Sequence, residues 1–166
     1  LYLDPILIKE KKSVTLLTTG IYESKLFEIL KSTIDNNLSF FNVSFLPKYI
    51  GVNVRLTKVD KDANLDKFQE QIVKKIKKYI YGINNQKIEE IVAEKLINKG
   101  MTIAIAESCT GGYISKKITD IAGSSNYLKG SIVAYDNSIK ENFLDIPHNL
   151  LESKGAVSSE VAIKMA

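Results

Sequence analysis

Apolar residues along this chain fall into two periods, and the switches between them mark out its elements. Ser13 to Thr19 is a β-branched and leucine-rich run closed by Gly20, which predicts a buried strand. From Glu23 onward Leu26, Phe27, Leu30 and Ile34 recur at three- and four-residue steps, the period of a helix that ends near Asp35-Asn36-Asn37. Phe41, Val43 and Phe45 then alternate with Asn42 and Ser44, and Pro47 interrupts. After Gly51, Val52, Val54 and Leu56 alternate with Asn53, Arg55 and Thr57, so two strands of a hairpin are expected. Leu65, Phe68, Ile72, Ile76 and Tyr79 return to helical period up to Gly82. The sum is a small βαββα unit whose two helices can cover one face of its sheet.

The stretch Gly82-Ile83-Asn84-Asn85-Gln86 is polar, carries a glycine and separates two helical patterns, so it reads as a boundary between residues 1–82 and 83–166. Beyond it Ile88, Ile91, Val92, Leu96 and Ile97 form an amphipathic face that Gly100 is placed to terminate. Thr102 to Ala106 shows no alternation, as expected of a strand covered on both faces, and it runs into the loop Glu107-Ser108-Cys109-Thr110-Gly111-Gly112 and a further helix. Gly130 to Tyr135 predicts a second buried strand, Ser138 to Phe143 a short helix, and Ser158 the cap of a last one. Helix, strand, loop, helix, strand is an α/β order, so the fold class is α/β, with a small α+β unit in front. Leu1 is no initiator methionine and Ala166 falls in an apolar-periodic segment with no capping residue, so the chain reads as a fragment.

Composition narrows the function classes. Hydrophobic residues at 45% and charged residues at 25% suit a soluble globular protein rather than a disordered one. No run approaches the roughly 18 apolar residues of a membrane span, and Leu1 to Glu10 lacks the order of a secretion signal, so a cytoplasmic setting without membrane contact is expected. Cys109 is the single cysteine and His148 the single histidine, which excludes an intrachain disulfide and a Cys/His zinc cluster; no metal and no cofactor are expected. A net charge of +4 raises the question of nucleic acid. Lys74, Lys75, Lys77 and Lys78, however, alternate with apolar residues at helical spacing, which describes a solvated helix face.

Ligands of open α/β sheets bind at the carboxyl ends of strands, where Glu107 to Gly112 is expected to lie. Its glycines would let backbone amides approach an anion at the following helix start. The plain alternative is a tight strand-to-helix turn. The loop is neither the three-glycine dinucleotide pattern nor a Gly-Lys-Ser phosphate loop. Two more polar clusters follow, Gly123-Ser124-Ser125 and Tyr135-Asp136-Asn137-Ser138-Ile139-Lys140. A serine attacking an amide needs a base, and with no suitable histidine pair a lysine is the available one, neutral when it acts. Judged alone, a lysine in a polar turn is a solvated lysine. Cys109 lacks a partner histidine and reads as a buried packing residue, and His148 as a surface residue.

Ala106-Glu-Ser-Cys-Thr-Gly-Gly112, Ile118-Thr-Asp-Ile-Ala-Gly-Ser-Ser125, Tyr135-x-Asn137-x-x-Lys140 and Gly155-Ala-Val-Ser158 occur in this order, and together they resemble the CinA C-terminal domain, the nicotinamide-nucleotide amidase family. Thr18-Thr-Gly-Ile-x-Glu-Ser24 and Phe45-Leu-Pro47 with Val54-x-Leu56-Thr57 resemble the KH-like middle domain of longer CinA proteins. The resemblance implies a KH-like domain followed by the front portion of a three-layer α/β/α amidase domain. It implies metal-independent hydrolysis of the carboxamide of nicotinamide mononucleotide to the acid and ammonia, a step of pyridine nucleotide salvage. Carried over by motif, Ser125 is the expected nucleophile with Ser108 as the alternative, Lys140 the base and Tyr135 a partner in proton handling. Ser108, Thr110, Gly111, Gly112 and Asn137 are expected to contact substrate, the glycine amides meeting its phosphate. Asp136 departs from the pattern, and a carboxylate beside Lys140 could hold the ammonium form. The family's later glycine-rich segment and substrate-binding arginine are not in the sequence, so the fragment alone is expected to turn over little. The rival is a non-catalytic nucleic-acid or protein-binding module. No Gly-x-x-Gly is present to clamp a nucleic-acid backbone, so nucleic acid is not expected. A homo-oligomer is compatible with the sequence.

Overall fold

In the computed structural model, residues 13–166 are described. Contacts divide the chain into two compact units that meet in sequence between Ile88 and Glu89. The first carries β1 (Ser13–Thr18), α1 (Glu23–Asp35), β2 (Phe41–Lys48), β3 (Gly51–Lys58), α2 (Leu65–Ile76) and β4 (Ile80–Ile83). Its sheet has the order β2-β3-β1-β4 and is antiparallel throughout. Leu16 and Val54, partners in register, place their side chains in the same buried layer. Leu26, Leu30 and Ile34 of α1 and Phe68, Ile72 and Ile76 of α2 project onto that layer at helical steps, which is why two short helices suffice to close the core. The rings of Phe41 and Phe68 stack with centroids 4.2 Å apart. Asn64 caps α2 by accepting from the Lys67 amide. Lys74, Lys75, Lys77 and Lys78 are exposed, as the helical spacing predicts.

One expectation is corrected here. Gly82 and Ile83 belong to no linker: they lie in β4, where Leu17 pairs with Gly82 and Leu16 with Ile83. The first unit is therefore βαββαβ, and its last strand closes the edge of β1.

The second unit carries α3 (Ile88–Asn98), β5 (Ile103–Glu107), α4 (Tyr113–Thr119), β6 (Leu128–Val133), α5 (Asn137–Leu144), α6 (His148–Lys154) and α7 (Ser159–Met165). β5 and β6 pair in parallel through the α4 crossover, as parallel neighbours require. Ala93 of α3, Ile118 of α4 and Tyr127 form a buried cluster against which Ile103, Ile105 and Leu128 pack. A second cluster, Ile146, Leu151 and Val161, joins α6 to α7. The expectation of strands covered on both faces does not hold, for Ser131, Ile132 and Val133 are exposed. Small residues of the two strands, Ala104, Ala106 and Gly130, line an open trough of about 1060 Å³ together with Ser108, Cys109 and Ile132. Among the described residues, no helix is long and apolar enough to cross a membrane.

Candidate active site

The parallel pairing decides which polar residues share one end of the second sheet. The Ala134 amide donates to the Glu107 carbonyl at 2.7 Å, the last rung of the ladder. Ser108 and Tyr135 are thus among the first residues past it, on strands about 5 Å apart. Asn137 opens α5 at the same end, and Lys140 lies one turn further along.

Lys140 is 1% exposed. Its amine donates to the Ala134 carbonyl at 2.8 Å and the Tyr135 carbonyl at 2.9 Å. The picture of a solvated lysine is therefore corrected: α5 folds the side chain back under the strand end that it follows. Asp136 does not bond that amine. Its carboxylate caps α5, accepting from the Ser138 amide and hydroxyl, and those bonds hold it below the usual carboxylate range. The ring of Tyr135 is exposed.

Ser125 is not brought to this place. It sits in a 3-10 turn, Ser124–Asn126, before β6 begins, and the next residue but one, Tyr127, accepts from the Ile103 amide at the start of β5. The six residues of β6 separate it from Lys140 by about 20 Å along the strand. Within this chain Ser125 and Lys140 thus stand at opposite ends of β6. Ser108, half-buried on the trough, is the serine at the lysine's end of the sheet.

The glycine loop is also organised differently from the expectation. The Gly112 amide donates to Glu107 Oε2 at 3.1 Å, the Ile114 amide to Oε2 at 3.0 Å and the Ser115 amide to Oε1 at 2.7 Å, with the Ser115 hydroxyl on the same oxygen. The Gly111 amide is taken by the Ser108 carbonyl. Thr110 adds its hydroxyl to Glu107. An internal carboxylate thus occupies the start of α4, and Gly111 and Gly112 do not offer their amides to a phosphate. Both glycines have positive φ, +60° and +93°, which is what lets the chain turn back over the Glu107 side chain.

Glu107 is the residue that sequence reasoning left without a role. It is 2% exposed, and burial by itself would raise its carboxyl. The Ser115 and Thr110 hydroxyls and the Ser115 and Ile114 amides outweigh burial and hold it at about 2. The stabilisation is present above the unfolded value near 4.5 and is lost as pH falls through about 2. An acidic residue closing an otherwise apolar strand was the available signal.

Cys109, expected to be buried, is exposed beside Ser108. His148 is a surface residue. Its Nδ1 lies 2.7 Å from Glu141 of α5 and its Nε2 3.3 Å from Glu152, and the bond and charge of Glu141 raise its pKa above 6.5. The ion pairs stabilise fully below the unfolded value near 6.5 and are lost as pH rises through the higher folded value. The one histidine gives one imidazole resonance, so a proton NMR titration should show a midpoint above 6.5 that falls in Glu141→Gln. A midpoint at or below 6.5 in the unaltered protein would refute the pairing.

These geometries define a two-unit α/β protein with a polar centre at the carboxyl ends of two parallel strands. The chain matches two family models, the damage-inducible protein CinA KH domain over residues 13–82 and the CinA C-terminal domain over residues 85–166. It is 46% identical over 110 residues to a CinA-like protein of Dictyoglomus thermophilum, which covers 66% of this chain and 27% of that one. It is 40% identical over 163 residues to a putative competence-damage inducible protein of Desulforamulus reducens, covering 93% of this chain and 38% of the relative. Among solved structures, the competence/damage inducible protein CihA from Agrobacterium tumefaciens aligns with 36% identity and a TM-score of 0.46 over 47% of each chain. The chain belongs to the CinA family. It spans between 27% and 38% of the length of the first two of these relatives.

Proposed function

We propose that the protein is a nicotinamide-nucleotide amidase in which Ser108 is the nucleophile and Lys140 its base. The observation that carries this reading is the buried Lys140 amine, fixed by the Ala134 and Tyr135 carbonyls past the end of β6, the end of the sheet at which Ser108 follows β5. A lysine aimed inward and held by neutral acceptors is placed for proton transfer rather than for solubility. Neutral Lys140 takes the Ser108 hydroxyl proton as the oxygen attacks the carboxamide carbon. Collapse of the tetrahedral intermediate breaks the carbon-nitrogen bond, and the lysine returns a proton so that ammonia leaves. Water then hydrolyses the ester and frees nicotinic acid mononucleotide and Ser108.

Tyr135 and Asn137, which follow β6 at the same end of the sheet, are assigned to proton handling and substrate contact. The trough beside Ser108 gives the nucleotide a surface of small residues to lie on. The full-length protein, given nicotinamide mononucleotide, is expected to release ammonia and the acid in equal amounts without added metal. Release of nicotinamide, or no turnover, would refute the proposal.

A further inference from the structure

The buried carboxylate at the start of α4 has no part in the chemistry just described, yet it adjoins the proposed nucleophile in sequence. We propose that Glu107 is a positioning residue for Ser108, an internal anion that takes the place a ligand's phosphate would otherwise occupy at the helix start. This rests on the amidase reading and deepens it.

Three amides, of Gly112, Ile114 and Ser115, and the Ser115 hydroxyl converge on its two oxygens between 2.5 and 3.1 Å. The same residue is tied through its carbonyl to Ala134, whose own carbonyl holds Lys140. Glu107 therefore links both halves of the centre. Its backbone sets where β5 stops beside the lysine, and its side chain pulls the first turn of α4 back over the loop. Ser108, Cys109 and Thr110 are strung between these two fixed points, and the Gly111 amide closes the loop on the Ser108 carbonyl at 3.0 Å. A nucleophile on a loop needs such support, because a displacement of about 1 Å can cost about a hundredfold in rate.

The arrangement makes a second statement about specificity. Amides at a helix start are a ready anion site, and here they are filled by a carboxylate of the chain itself. The phosphate of a nucleotide substrate must be recognised elsewhere. Changing Glu107 should slow the acyl transfer without altering the preference for a phosphorylated substrate.

The test is steady-state kinetics of the full-length protein with nicotinamide mononucleotide and with nicotinamide riboside. Glu107→Gln keeps the shape of the side chain, but its amide nitrogen cannot accept the amides that the lost oxygen accepted. It is expected to lower kcat by about tenfold to a hundredfold, with KM for the mononucleotide changed by less than about threefold. The ratio of kcat/KM between the two substrates should stay as it was. Wild-type kcat in this variant would overturn the proposal, and so would a ratio that shifts while kcat holds, since that marks the helix start as the phosphate site. If Glu107→Gln does not fold, Ser115→Ala removes one donor to the same carboxylate. It is expected to lower kcat about twofold to fivefold at unchanged KM, and an unchanged kcat would be as damaging. Turnover of nicotinamide mononucleotide by the unaltered full-length protein separates the two failures: its absence defeats the amidase reading, whereas turnover in the unaltered protein with an unchanged kcat in Glu107→Gln defeats this inference alone.

Discussion

Ser108→Ala in the full-length protein should lower the rate of ammonia release from nicotinamide mononucleotide by about a thousandfold or more, while Ser125→Ala should leave it within about twofold. The contrast follows from strand direction. In a parallel pair, residues that precede a strand and residues that follow it stand at opposite ends of the sheet. Ser125 precedes β6, and Tyr135 and Lys140 follow it. Ser108 follows β5 and reaches the lysine's end. No rotation of side chains bridges a separation of about 20 Å. Lys140→Ala should match the Ser108→Ala loss, because residues that act as a unit are not additive when removed. A fully active Ser108 variant, or an inactive but folded Ser125 variant, would reverse the assignment.

The largest effect on stability is expected at Gly51, far in sequence from this chemistry. Gly51 opens β3 at the hairpin with β2, with φ at +157°. A Cβ placed there would stand 2.0 Å from the Thr18 carbonyl oxygen and 2.9 Å from the Thr18 carbonyl carbon and the Thr19 Cα. These neighbours are backbone, and the end of β1 is fixed by the Thr18 hydroxyl on the Val52 carbonyl and the Thr19 hydroxyl on the Ile50 carbonyl. The clash cannot be relieved by a side chain swinging away. Gly51→Ala should cost about 3 kcal/mol or more, a large part of the stability of a small domain. The thermal transition of the first unit should fall by more than about 10 °C. An unchanged transition would show that β1 and the hairpin are not packed as described.

Much of the fold is visible in the pattern of apolar positions because its helices and longer strands bury one regular face each. Leu26, Leu30 and Ile34, or Val52, Val54 and Leu56, declare both the element and its buried side. β4 escaped that reading for a physical reason. It is four residues long, contains a glycine and pairs with Leu16 and Leu17 more than sixty residues earlier, so no local period marks it. In the second unit a run without alternation suggests burial on both sides, yet Ser131, Ile132 and Val133 of β6 are exposed among the described residues.

The candidate site was legible in its residue types and less so in its geometry. Ser108, Tyr135, Asn137 and Lys140 stood out as polar groups following two strands, and the parallel pairing of β5 with β6 sets those two strand ends side by side. The inward course of Lys140 depends on two carbonyls that no spacing rule reveals. The role of Glu107 depends on a chain reversal at Gly111 and Gly112 that turns a helix start toward its own strand. Ser125 is assigned by motif, and a motif does not say which end of a strand a residue occupies: in the fold it precedes β6, whereas Tyr135 and Lys140 follow it.

The central claim is that acyl transfer passes through Ser108, and the covalent intermediate tests it most directly. The full-length protein, mixed with nicotinamide mononucleotide and quenched in acid during turnover, should carry a nicotinate mononucleotide ester that peptide mass mapping locates on Ser108. The same ester on Ser125, or turnover by a Ser108→Ala protein, would contradict the account.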